Sequence, residues 1–147
     1  MSSPITFHSA ALTPILAGLK NIHVVLTKGA THIESLSHDA ADYTSARLAP
    51  DMLNLAEQVY RLTDSAKAIP PRVNPENKAL TLPDVETTFP ELLERIENTI
   101  AYLESIDAKT FEGREGEDVI LLLAKGAVRV EFKALEYVQI YAQPNFW

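Results

Sequence analysis

From Ile5 to Leu36 the apolar residues Leu12, Ile15, Leu16, Leu19, Ile22, Leu26, Ala30 and Ile33 recur every three or four positions, the period of an amphipathic α-helix. A helix of that length must bury its stripe against other elements. In a chain of 147 residues a single core can do this without covalent staples, so one domain over residues 1–147 is predicted. Pro14 lacks a backbone donor, and should kink this first helix or mark its true first turn.

The rest of the chain supplies the partners. Residues 37–46 are polar and hold no period, so they read as a connection. Pro50 suits a first helical turn, and Met52, Leu55, Val59, Leu62 and Ala66 then keep helical spacing until Pro70 and Pro71, which predicts a second helix over 50–68. The proline-rich stretch from Pro70 to Asp84 reads as a crossing loop. Thr88 and Glu91 have the spacing of a capping box ahead of Leu92, Leu93, Ile96, Ile100, Leu103 and Ile106, the third helix.

Between Asp118 and Lys133 the period changes. Val119 to Leu123 is an apolar run of strand length, Lys125 and Gly126 offer a turn, and Val128, Val130 and Phe132 alternate with charged residues, which predicts a β-hairpin. Helical spacing returns at Leu135, Val138, Tyr141 and Ala142, with Pro144 interrupting it. The fold class is therefore mainly α: an antiparallel four-helix bundle with a β-hairpin before a last helix that looks cut short.

Charge and composition narrow the partners. The net charge is -7 and the lysines and arginines are scattered, so a phosphate backbone or an anionic bilayer would be repelled. The absence of cysteine excludes disulfides, thiolate metal sites and thiol chemistry. His8, Thr13, Lys20, Asn21 and His23 break the apolar run near the start, and no signal peptide or membrane span is visible there. A cytoplasmic protein is expected, with neither nucleic acid nor membrane as partner.

The order of elements, with RLAPDM at 47–52, ETTF at 86–89, FEGRE at 111–115 and QPNFW at 143–147, resembles the DinB/YfiT-like superfamily, and within it a branch of small proteins of unknown function. The resemblance runs from about residue 6 to the end. It implies a four-helix bundle, often dimeric, and in many members a divalent metal held by three histidines on helices two and four, with thiol transferase or isomerase activity in some. This chain has no histidine on either of those helices. The resemblance also implies a further helical segment after Trp147, which leaves either a shortened chain or a bundle completed by another chain.

Candidate chemistry follows from bundle geometry. Helices one and two are joined by a short connection and should run antiparallel, which would bring His32 beside Asp51, with Arg47 just ahead of helix two. A carboxylate there could orient the imidazole for proton transfer, and the guanidinium could hold a developing oxyanion. Leu55 and Gln58 share a face with Asp51, and Tyr137, Tyr141 and Asn145 should reach the same end. Each also has a structural reading: Asp51 as a helix-dipole partner, Arg47 paired with Asp51 or Asp42, the tyrosines as packing residues. No histidine trio has ligand spacing, and no nucleophile motif or glycine-rich phosphate loop is present.

The function expected is that of a small-molecule enzyme without cofactor or metal, an acid/base isomerase or cyclase. Its substrate would be an apolar, phenolic or polyketide-like ligand, and chalcone-type ring closure is one candidate. The alternatives are a metal-dependent DinB-like thiol transferase or hydrolase, and a non-catalytic binding or dimerisation module. A homodimer is expected, because Tyr137, Tyr141, Phe146 and Trp147 would otherwise form an exposed aromatic stripe.

Overall fold

The computed structural model describes residues 4–147. The chain is mainly helical with one two-stranded antiparallel sheet. Its elements are α1 (Phe7–Ser35), α2 (Ala40–Thr44), α3 (Leu55–Lys67), α4 (Ile69–Val73), α5 (Phe89–Glu104), β1 (Asp118–Leu123), β2 (Val128–Lys133), α6 (Ala134–Glu136) and α7 (Gln143–Phe146). A π-helical stretch, Tyr137–Ala142, joins α6 to α7 into one helical run.

Helix α1 runs on through Pro14, and another element satisfies the carbonyl that the proline leaves open. Pro14 cannot donate to the carbonyl of Ala10, and the Gln143 side-chain amide donates to that carbonyl instead, at 3.0 Å. Four residues after Pro14, Gly18 lets the C-terminal aromatics approach: a methyl on it would lie 2.5 Å from Phe146 and 2.8 Å from Trp147. By length and composition α1 could cross a membrane, with mean hydropathy 1.3 over its most apolar window, a property the sequence reading did not credit. Its stripe of Ala11, Leu12, Ile15, Leu19, Leu26 and Ile33 is buried in the core instead.

Helix α5 runs antiparallel to α1, pinned by Lys20–Glu104 at 2.6 Å and His23–Glu97 at 2.7 Å. The Thr88–Glu91 capping box forms as expected, with the Glu91 carboxylate accepting from the Thr87 and Thr88 amides. These bonds, together with one from the Thr88 hydroxyl, lower its pKa. Helix α3 packs on α5 and on α7. The crossing loop is fastened to α3 and α5 by Arg95, whose side chain is fully buried. Its guanidinium donates to Thr63 Oγ1 (2.8 Å), the Pro83 carbonyl (2.7 Å), Asp84 (2.9 Å), Asp64 (3.3 Å) and both oxygens of Glu86, and it lies over the Tyr60 ring.

The hairpin pairs Asp118 with Lys133 and Leu123 with Val128, with Ala124, Lys125 and Gly126 all at positive φ in its turn. Val119 and Leu121 face the core. The FEGRE segment then feeds the last helical run: Glu117 and Glu115 carbonyls accept from the amides of Ala134 and Leu135, covering donors that a helix start leaves open.

Four expectations are corrected. The second long helix begins at Leu55, because Asn54 and Glu57 form a reciprocal capping box, so Pro50 and Asp51 lie in a turn ahead of it. The connection at 37–46 contains α2, started by Asp39, and Pro70 and Pro71 sit in the first turn of α4, where a missing N–H costs nothing. The aromatic stripe is mostly internal: Tyr137 and Phe146 are buried, Tyr141 is half-buried, and Trp147 is exposed.

Two glycines in α1 should respond oppositely to alanine. Gly18→Ala overpacks against Phe146 and should cost a net ~1–3 kcal/mol, whereas Gly29, with nothing within 4 Å, should gain up to about 1 kcal/mol in helix propensity. Arg95→Leu leaves Asp84 and Glu86 without a counter-charge and should cost ~3–5 kcal/mol. Urea denaturation midpoints of the three variants check all of these.

Candidate functional site

Two cavities hold most of the candidate residues, one at the start of α3 and one further along it. The first, of 410 Å³, is walled by Tyr43, Ala46, Arg47, Leu48, Met52, Leu53, Leu55 and Gln58. It exists because the segment from Ala46 to Asn54 is folded back on the start of α3. The Leu55 amide donates to the Ala46 carbonyl at 3.1 Å, and Arg47 donates to the Met52 carbonyl and pairs with Glu57 at 3.0 Å. Glu57, rather than Asp51 or Asp42, is thus the partner of Arg47. Gln58 reaches the Leu53 carbonyl at 3.4 Å.

The loop so held presents leucines outward: Leu48 is 92% exposed. A mostly aliphatic wall with a few polar groups at its rim is the usual composition of a small-molecule site. Tyr43 ties this wall to an imidazole, because its hydroxyl lies 2.8 Å from His38 Nδ1 and the two rings stack. The sequence reading saw His38 only as one of four histidines and passed over Tyr43. No signal in the sequence marks the pair, because His38 lies ahead of the cap of α2 and Tyr43 within it.

The second cavity, of 420 Å³, is walled by Arg61, Asp64, Ser65, Arg72, Tyr137, Tyr141, Ala142 and Asn145. The π-helical register of Tyr137–Ala142 sets the two tyrosines side by side, ring centroids 5.9 Å apart, and Asn145 Nδ2 donates to the Tyr141 carbonyl at 2.7 Å. Tyr137 is fully buried and accepts a hydrogen bond from Arg72 at 2.9 Å. Burial pushes its phenol pKa up, and the Arg72 charge opposes this in part.

The convergence expected from bundle geometry is therefore divided. Arg47, Leu55 and Gln58 meet in the first cavity; Tyr137, Tyr141 and Asn145 meet in the second. His32 and Asp51 are exposed and line neither, and no ion pair joins them among the described residues. The physical reason is the late start of α3: Asp51 is carried on an exposed turn ahead of the helix and not on the helix that bears Leu55 and Gln58.

The metal that the superfamily resemblance implies would be held between helices two and four, here α3 and the last helical run. The donor set there does not fit a divalent cation. Two guanidiniums face the cavity, and its carboxylate, Asp64, is already met by Lys67 at 2.7 Å and Arg95 at 3.3 Å. Among the described residues no group of three potential ligands forms.

Comparisons with known proteins agree with the fold and say little of the chemistry. No curated protein matches the chain. The crystal structure of a DinB family member protein from Shewanella denitrificans superposes with a TM-score of 0.84 at 26% identity, covering 95% of this chain and 77% of that one. A family model described as domain of unknown function (DUF1993) matches residues 7–147. Motifs, element order and these matches together place the chain in the DUF1993 family, an uncharacterised branch of the DinB-like superfamily.

Proposed function

We propose that the protein is a cofactor-independent acid/base enzyme of the isomerase or lyase class, built as a single-domain antiparallel four-helix bundle and working in the cytoplasm. Its substrate is a small, apolar, phenol-bearing molecule bound in the cavity between α2, residues 46–54 and α3. The observation that carries this reading is the coupling of an apolar cavity to an imidazole, through the 2.8 Å contact of Tyr43 with His38. Leucine and methionine walls favour a planar apolar ligand over a sugar or nucleotide. Histidine is the side chain whose charge changes near neutrality, so the pair can pass a proton between water and a ligand oxygen.

Ring closure of a phenol onto an enone suits such a site. The phenol oxygen bonds to the β-carbon, the alkene electrons move to the carbonyl oxygen, and the phenol's proton ends on the α-carbon, so nothing is oxidised or reduced. Arg47 and Gln58 line the rim, and the Arg47 N–H groups not used by Glu57 and the Met52 carbonyl would hold the transient enolate oxygen. The superfamily's metal-dependent chemistry is disfavoured by the donor set described above.

A homodimer belongs to this reading. Leu48, Met52 and Leu53 line the cavity and are also exposed, and apolar side chains grouped at a cavity mouth favour cover by another surface. His32 and Asp51 lie on the adjoining segments, so a second copy seated there would enclose them and add the expected acid/base pair to the site.

The test uses 2′-hydroxychalcone, followed by absorbance. The protein should accelerate cyclisation over buffer, and Tyr43→Phe and His38→Ala should each lower turnover by roughly 10²-fold or more with the fold intact. His32→Ala should lower it comparably in the dimer, and Leu48→Glu should give a monomer on sedimentation. Binding without turnover would support a non-catalytic binding module instead, and no binding at all would sink the assignment.

A further inference from the structure

The second cavity calls for a different ligand chemistry, because two guanidiniums and a buried phenol line it, and its one carboxylate, Asp64, is already met by Lys67 and Arg95. The chain is acidic overall, with 20 Asp and Glu against 13 Lys and Arg, and most of its arginines are neutralised. Arg47, Arg61, Arg95 and Arg129 each lie within ion-pair distance of a carboxylate. Arg72 has no such partner among the described residues. Its one side-chain bond is the donation from Nη1 to the Tyr137 hydroxyl, which leaves Nη2 and Nε uncommitted beside the cavity.

Tyr137 is the complementary half. Its oxygen accepts from Arg72, so its own proton has to go elsewhere, and no acceptor for it lies within hydrogen-bonding distance among the described residues. The side chain is fully buried yet forms part of the cavity wall. A buried phenol that keeps its proton, next to a guanidinium with free N–H groups, is a matched set of donors for an oxyanion. Arg61 adds a second positive charge at the same wall, its Asp64 contact being loose at 3.6 Å. The stacked Tyr137 and Tyr141 rings supply a flat aromatic flank. Both rings stand on the π-helical stretch Tyr137–Ala142, and π-helical stretches recur at functional sites.

We propose that the cavity between α3, α4 and the last helical run is a binding site for a small aromatic carboxylate, its carboxylate held by Arg72 and Tyr137 and its ring against the tyrosine pair. The site is separate from the apolar cavity at the α2–α3 end and does not depend on the activity assigned there. Bound at this position, the ligand bridges α4 to the last helical run.

Benzoate is the probe, with benzamide as its neutral counterpart, measured by titration calorimetry on the full chain and located by NMR of the tyrosine rings. Benzoate should bind one to one and shift the Tyr137 and Tyr141 signals, while benzamide binds at least about tenfold more weakly, a difference of ~1.4 kcal/mol. Arg72→Gln should remove that preference, and Tyr137→Phe should weaken benzoate by several-fold while circular dichroism shows an unchanged fold. Should Arg72→Gln fail to fold, Arg72→Lys decides, since it keeps the charge but loses the planar fork and should still weaken benzoate. Absence of benzoate binding, equal affinity for benzamide, or unshifted Tyr137 and Tyr141 signals would each overturn the proposal, as would unchanged benzoate affinity in the Arg72 variants.

Discussion

Arg95 is the interaction on which the arrangement of helices rests. A guanidinium carries five N–H groups in a rigid plane, and here each direction is used: Nε on Thr63 of α3, Nη1 on Pro83 and Glu86 of the crossing loop, Nη2 on Asp64 and Asp84. Burying a charge is tolerable only when it is paired and fully hydrogen-bonded, and this one meets three carboxylates. Satisfying it requires α3, α5 and residues 83–86 to be in place together, so a long proline-rich connection is fixed against two helices by one side chain. Tyr60 reinforces the joint by stacking over the guanidinium and donating its hydroxyl to the Glu86 carbonyl.

A second joint ties the two ends of the chain. Pro14 leaves the Ala10 carbonyl without its helical donor, and Gln143 supplies one from the last helical run. Gly18, one turn further along α1, makes room for Phe146 and Trp147. The run that carries Gln143 is also the run that changes register over Tyr137–Ala142, so the contacts that close the fold also aim Tyr137 and Tyr141 at the second cavity. Stability and site geometry are coupled there, because a shift of that run on α1 moves the tyrosines as well.

The two cavities divide the molecule's chemistry by polarity. At the α2–α3 end, Arg47 spends its guanidinium on Glu57 and the Met52 carbonyl, so what remains facing the cavity is mainly hydrocarbon with the His38–Tyr43 pair at its edge. Beside the last helical run, Arg72 is without an acid and Tyr137 holds an uncommitted proton. An apolar ligand suits the first and an anionic one the second, and neither cavity presents the cluster of neutral imidazoles or free carboxylates that a divalent cation requires.

Residue order alone determined the element types. Local signals act over a few positions, so the apolar period of α1, the Thr88–Glu91 cap of α5 and the alternation in β2 were all legible. The start of α3 was misplaced because Pro50 and Asn54 both suit a helix start, and the reciprocal bond between Asn54 and Glu57 decides between them. Arg95 on the otherwise apolar face of α5 was a visible anomaly, but its partners lie up to 32 residues away. Which polar groups share a cavity was beyond the sequence for the same reason: the turn at Asp51 and the π-helical stretch at Tyr137–Ala142 are not written in the apolar period. Their placement comes with long-range packing and hydrogen bonding, such as Gln143 on Ala10 and Arg72 on Tyr137, which only the folded chain brings within reach.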